Sequence, residues 1–397
     1  MNDGQVADGA SDIAIIGGGI AGPALAAALA DTPLRITLVE RDAGPLDTVR
    51  GDHLQPVTCA ALERWGVLPQ LRALGAEKRL GSRWYNAQGE EILHARVDDL
   101  DIAHPYFLYL NHELISRALL ERAAMNPAFR LLRPATARLV ASAQGHAVQV
   151  QEATGSRTIH AALVVAADGR NSAARRALEI PAETYPYANP LVILFAPRAF
   201  PDPRNEVHAY LTAGGIVSVV PRTGGRWKIG FPVARAELNG WLQAGEAELA
   251  RRLAQLAPAL GGLAPQLAGI YPVAMLKAAH WTAGNVLLLG DACHALHPGR
   301  SQGMNVALRV VEQLSEELHA PQAAGTLAQP QRLQGWLQAF EAGLKPAIDL
   351  RLDENHARGL DMDRLDAGAA VAMERALRAV AADPARLRRY CLNSAGY

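Results

Sequence analysis

Asp12-Ile13-Ala14-Ile15-Ile16-Gly17-Gly18-Gly19-Ile20-Ala21-Gly22 is the stretch that sets the fold class. Its first half is a short, Ile-rich apolar run, as expected of a strand buried on both faces. Glycines follow, then an Ala/Leu run from Ala24 to Ala30 that suits a helix. Arg35 to Val39 reads as a second buried strand, closed by Glu40. Strand, tight turn, helix and strand in that order begin a parallel sheet. Gly17, Gly19 and Gly22 fit the spacing GxGxxG. Such a turn needs a residue tolerant of positive φ, bare backbone for a phosphate to approach, and a last glycine that lets helix and strand close up. The helix start then offers unpaired N–H groups and partial positive charge to a pyrophosphate. Gly17, Gly19, Ile20, Ala21 and Gly22 are therefore the expected cradle of a dinucleotide. Glu40 follows at about the twenty-residue spacing of a ribose-binding acid; its bland reading is a strand-end surface acid. Arg41 either flanks the adenine or is a solvated charge.

Outward from that unit, Thr58 to Leu74 and Glu113 to Ala124 have helical periodicity, and Gly81 to Leu93 reads as a hairpin turning near Ala87 to Gly89. Ala161 to Ala166 and Val286 to Leu289 are further buried strands, and Met304 to His319 is a helix. From Pro186 to Val233 alternating apolar runs with Pro and Gly turns predict antiparallel strands. The chain beyond Gln331 reads as helical, after a Pro/Ala/Gly/Gln linker near Pro321 to Pro330. Lys+Arg and Asp+Glu balance at 39 each in 397 residues. That balance gives no electrostatic reason to expect nucleic acid or an anionic membrane as a partner. Cys59, Cys293 and Cys391 lie far apart with no metal-ligand spacing, so a reducing, cytoplasmic setting and no metal are expected. The polar start of the chain lacks the positive region of a signal peptide.

Two more motifs follow buried strands: Ala167-Asp168-Gly169-Arg170-Asn171-Ser172, and Gly290-Asp291-Ala292-Cys293-His294 leading to Pro298-Gly299-Arg300-Ser301-Gln302-Gly303-Met304-Asn305. Singly, an Asp-Gly after a strand is a turn. As a set of three in this order, over about Asp12 to Asn305, they resemble the flavoprotein monooxygenases of the para-hydroxybenzoate hydroxylase type. The resemblance implies an α/β fold: a Rossmann-like, GR2-type FAD-binding domain with a parallel sheet, an antiparallel-sheet substrate domain, and C-terminal helices. The expected division is 11–82, 111–185 and 273–330 for FAD, 83–110 and 186–272 for substrate, and 331–397 for the helical region. It implies FAD as cofactor and NADH or NADPH as reductant. In that family Asp291 with Gly290 would bind the ribityl chain, and Asp168 with Gly169 would organise FAD and reductant access. Pro298, Gly303, Met304 and Asn305 would lie against the flavin ring. Arg50 and Asn111 match positions that contact FAD.

The implied reaction passes through a flavin C4a-hydroperoxide and puts one oxygen atom on an electron-rich ring, so the partners are a small aromatic or polyketide-like substrate and O₂. A general base helps where the substrate is a phenol. Asp52 and His53 are the candidates, read otherwise as a helix cap and a packed imidazole. Tyr210, Val217 and Val219, on a strand expected over Val207 to Val220, are candidate substrate contacts in a mainly apolar pocket. His294 and His297 are read as parts of the flavin loop, since no third ligand completes a metal site. The sequence departs from the family at Ser301, where Gly is usual, and at Asn111, where Arg or Gln is usual. The latter opens the case for a separate flavin reductase. A geranylgeranyl-type reductase and a non-catalytic flavin-binding partner are the alternatives.

Overall fold

The computed structural model describes residues 10–44, 53–143, 145–198, 204–320 and 322–397. Four apolar strands run parallel at its centre: Val286–Leu288, Gly155–Ala166, Ala10–Ile16 and Ile36–Val39, with Phe129–Leu132 parallel beyond them. Ile13 faces Leu163 on one side and Ile36 on the other. Ile13, Leu163 and Ile36 are almost wholly buried, which explains why these strands read as unbroken apolar runs. Helices Ala21–Ala28, His112–Ala123 and Gly303–His319 pack against them. The sheet is mixed: Thr282–Ala283 adds antiparallel at one edge, and a hairpin of Thr136–Ser142 and Gly145–Glu152 extends Gly155–Ala166.

A second sheet of seven strands runs in the order Gln266–Tyr271, Leu191–Pro197, Arg226–Pro232, Gly215–Arg222, Val207–Thr212, Gly81–Tyr85, Glu91–Arg96. It is antiparallel except where Val207–Thr212 meets Gly81–Tyr85. Glu206, with no exposed area, joins these two strands by accepting hydrogen bonds from Arg83 at 2.7 Å and Arg204 at 2.8 Å. Helices Leu238–Leu242 and Glu246–Leu256 cover one face, through Trp241, Leu249 and Leu253. A small sheet of His53–Leu54, Phe107–Tyr109 and Glu77–Arg79 lies apart from the two large ones. The C-terminal helices Pro330–Met362, Ala367–Ala381 and Pro384–Ala395 complete the chain, the last two packing on the Glu91–Arg96 edge.

Two expectations are corrected here. Thr58 to Leu74 is not one helix but two, Pro56–Arg64 and Leu68–Ala73, because Gly66 turns the chain at φ +73°. Val207 to Val220 is a hairpin of two strands, with Gly215 at φ +101° beginning the second.

Candidate functional site: three loops at one sheet edge

Parallel pairing carries the ends of four strands to the same edge. Ile16 lies beside Ala166 and Val39, and Ala166 beside Leu288. The glycine turn, Asp168 and Asp291 leave the sheet at that edge. Gly17, at φ +114°, packs so close to Ala167 that a side chain there would overlap its carbonyl. A Cβ on Gly22 would overlap the carbonyl of Gly17. Gly19 is exposed with nothing near its missing Cβ. Helix Ala21–Ala28 starts at Ile20 with no side-chain cap and no acid in its first turn. Gly290, at φ +63°, brings the third loop onto the first: a Cβ there would stand 3.2 Å from that of Ala21.

Glu40 ends the second strand and accepts from the backbone N–H of Gly18 and, at 2.7 Å, of Asp42. Those bonds fix the carboxylate beside the glycine turn. Arg41 is exposed and pairs with Asp42 at 3.4 Å. Asp168 accepts from Ala174 N–H at 3.1 Å through Oδ2, while its buried Oδ1 has no protein partner. Gly169 follows at φ +80°. Asp291 is exposed at the same edge. Sequence reading overlooked Arg175, which is 8% exposed. Its guanidinium donates to Ala292 O at 2.6 Å and Arg170 O at 3.0 Å, tying the second loop to the third. Burial pulls its pKa below the usual arginine value. An arginine inside a turn of small residues was the signal available for it. The overlapping glycine positions, the uncapped helix start and the orphaned Asp168 oxygen fit a dinucleotide.

Pro298 opens a single turn, Pro298–Arg300, and Gly303 begins the 17-residue helix Gly303–His319, whose Gln302 cap adds no side-chain bond. Ser301 between them adopts the left-handed conformation at φ +52°. Met304 is partly buried against the main core. The Asn305 side chain is spent on the protein. It donates to His53 O at 2.9 Å and Ser301 O at 2.8 Å, and accepts from Gln55 N at 2.9 Å and Thr58 Oγ1 at 2.8 Å. Asn305 therefore pins the helix start to the strand His53–Leu54. His297 caps the turn by accepting from Gly299 N–H at 3.2 Å. Asn355, on the long C-terminal helix, brackets His297 from behind at 2.7 and 3.2 Å.

His53 is partly buried, its ring 4.5 Å from that of Phe107. Burial first, then the positive charges of Arg79 and Lys228, push its pKa down to about 3. It is neutral near pH 7 and is a poor proton acceptor there. Arg50 and Asp52 lie outside the described residues. Asn111 caps helix His112–Ala123, but its Oδ1 accepts from Arg222 at 3.0 Å and Thr223 at 2.9 Å. Its carboxamide joins the helix to the seven-stranded sheet, where Arg222 is 4% exposed. Tyr210, Val217 and Val219, the expected substrate contacts, are buried and pack in one cluster with Trp241, Leu249 and Leu253.

Residues 10–332 match a family model described as FAD binding domain. The chain belongs to this family. A ubiquinone hydroxylase, UbiL, of Rhodospirillum rubrum is 28% identical over 338 residues, which are 80% of this chain and 75% of UbiL. The p-nitrophenol 4-monooxygenase PnpA of Pseudomonas putida superposes at a TM-score of 0.79 with 20% identity, over 96% of this chain and 97% of PnpA. PqsL of Pseudomonas aeruginosa, solved with 2-aminobenzoylacetate, superposes at 0.75 with 25% identity, over 90% of this chain and 97% of PqsL. With this FAD-binding family fold and these relatives, the chain is an FAD-dependent monooxygenase. The comparisons do not favour the reductase or non-catalytic alternatives. Among the described residues, no helix is long and apolar enough to cross a membrane.

Proposed function

We propose that this FAD-binding protein hydroxylates an aromatic or polyketide-like small molecule in the cytoplasm, with NADH or NADPH reducing the flavin directly or through a separate flavin reductase. The convergence of three loops at one sheet edge carries the reading. Gly17, Gly19, Ile20, Ala21 and Gly22 would take the pyrophosphate on bare backbone at an uncapped helix start. Glu40 would accept from the adenosine ribose, and Asp291 from the ribityl chain. Asp168, with Gly169, would add its unpaired oxygen to the same site. Bound FAD supplies the activation of O₂ and delivery of one oxygen atom to the substrate.

The chain supplies placement and charge. Gly303 and Met304 present N–H groups at the start of a long helix, where partial positive charge stabilises negative charge on a reduced ring. Pro298 and the Ser301 turn set the height of that loop. His53, neutral near pH 7, serves as a wall and hydrogen-bonding group. Activation of a phenol as base therefore falls to Asp52 or to solvent. The test is direct. Purified protein with FAD, NADH or NADPH, O₂ and a panel of phenols and arylamines should give a product heavier by one oxygen atom. A product heavier only by two hydrogens, formed without O₂, would overturn the proposal.

A further inference from the structure

The turn that leads into helix Gly303–His319 has little of its own to hold it. Pro298, Gly299 and Ser301 are exposed, Ser301 sits in the left-handed region, and the Gln302 side chain makes no capping bond to the helix it precedes. Asn305 ties Ser301 O to the helix. A second tie comes from a distant part of the chain. Asn355, 3% exposed, lies on helix Pro330–Met362. Its Oδ1 accepts from His297 N–H at 2.7 Å, and its Nδ2 donates to His297 O at 3.2 Å and to Gln302 Oε1 at 3.3 Å. One carboxamide thus reads both backbone groups of the residue that opens the turn and reaches the residue that closes it. Both amide hydrogens and the oxygen are engaged, so the contact sets an orientation as well as a distance.

The same helix face continues the grip. Gly359, one turn on from Asn355, is buried against Tyr187, where a Cβ would stand 2.7 Å from the tyrosine oxygen. Tyr187, 2% exposed, sets its ring edge-on to that of His297, with centroids 4.7 Å apart. Met362 lies against Gly299, where a Cβ would overlap it. Positions 355, 359 and 362 recur at the spacing that puts residues on one face of a helix. Of these three, Asn355 brings hydrogen bonds. An apolar residue would seat the same helix without the cost of burying a carboxamide, so packing alone does not account for the asparagine. Most of this helix lies beyond residue 332, where the match to the FAD binding domain ends.

We propose that Asn355 is a positioning residue: from the C-terminal helix it fixes the turn before helix Gly303–His319 and so aims the N–H groups of that helix start at the reduced flavin. The inference rests on the proposed placement of the flavin ring against this helix start. Without the carboxamide the helix start is no longer held to that aim, reduced flavin loses stabilisation that oxidised flavin scarcely feels, and the reduction potential falls. The test equilibrates FAD-loaded wild type, Asn355→Leu, Gln302→Leu and Leu337→Ala with redox dyes. Leu337 is wholly buried near the other end of the same helix, so Leu337→Ala loosens the helix without touching the turn. Asn355→Leu should shift the two-electron equilibrium roughly tenfold toward oxidised flavin, a fall of about 30 mV. Gln302→Leu removes one of the three bonds and should shift it the same way by less, which covers the case in which Asn355→Leu does not fold. Leu337→Ala should lower the urea midpoint and keep the wild-type potential. A wild-type potential in the folded loop variants, or an equal fall in Leu337→Ala, overturns the inference. The readout needs no substrate, so a wild type that adds oxygen to no phenol or arylamine sinks the proposed function while the potentials still decide the role of Asn355.

Discussion

Replacing each glycine of the first turn by alanine should separate what the fold needs from what the ligand needs. At Gly22 the new Cβ falls under 3.0 Å from the Gly17 carbonyl, a distance real Cβ atoms do not show, and 3.0 Å from Ile15 Cγ2. The clash is with backbone, so no rotamer relieves it. Alanine gains up to about 1 kcal/mol of helix propensity, but overpacking of this kind costs about 1–3 kcal/mol and takes the larger share. At Gly17 a similar backbone overlap is joined by φ +114°, and holding a non-glycine residue there adds about 1–3 kcal/mol. At Gly19 nothing lies within 4 Å and the backbone is ordinary. Gly19→Ala should leave the FAD-free protein within about 0.5 kcal/mol of wild type. Its methyl stands where the pyrophosphate would approach, so FAD affinity should fall at least tenfold, about 1.4 kcal/mol. Urea unfolding of FAD-free protein and quenching of FAD fluorescence on titration measure the two effects. If Gly19→Ala binds FAD as wild type does, or if Gly22→Ala unfolds at the wild-type midpoint, the division of roles is wrong.

Asp291→Ala should lower FAD content, and Asp168→Ala should lower the FAD-free unfolding midpoint as well, because Asp168 accepts from Ala174 N–H; equal flavin content in wild type and Asp291→Ala would remove that assignment. Ser301→Gly relieves a left-handed backbone worth about 1–2 kcal/mol against about 0.5–1 kcal/mol of added unfolded-chain entropy, so its urea midpoint should hold or rise, and a clear fall would show that the serine side chain matters more. His53, with its pKa lowered to about 3, and His294 and His297, lowered to about 4, are neutral in the folded chain, chiefly through burial. An unfolded imidazole takes up a proton below about pH 6.5, so this stability is present above that pH and is lost as pH falls toward the folded values. Between pH 7 and 5.5 each should cost on the order of 1 kcal/mol, and a urea midpoint unchanged across that window would be incompatible with three buried neutral imidazoles. Asn111→Ala should weaken the joint to Arg222 and Thr223 while FAD affinity stays near wild type; a large loss of FAD would restore Asn111 as a cofactor contact.

The central sheet was legible because a strand covered on both faces has no polar side, so its sequence is an apolar run whichever way it faces. The hairpin Thr136–Ser142 and Gly145–Glu152 was not, since much of it is exposed and its residues carry no such run. The break between helices Pro56–Arg64 and Leu68–Ala73 was written in Gly66 and Pro69, but the helical period of the flanking leucines hid it. The three flavin motifs were legible for a different reason: each is a turn whose glycines answer a local steric demand, and a local demand leaves a local signature.

Side-chain direction is the part that sequence withheld. Period-two alternation divides strand Gly215–Arg222 into two sets but does not say which layer each set meets. Val217 and Val219 drew attention as the apolar set, yet a register becomes uniformly apolar when helices seal it. The asparagines show the same limit. Asn111 and Asn305 stand at helix starts near the candidate site, where a carboxamide is naturally read as a cofactor handle. In the fold the Asn305 carboxamide is taken by residues from distant parts of the chain and the Asn111 oxygen by Arg222 and Thr223. A polar side chain beside a site has a limited number of hydrogen bonds to make. Here those recorded go to holding neighbouring segments in register, so the proposed recognition of FAD falls to backbone and to the acids Glu40, Asp168 and Asp291.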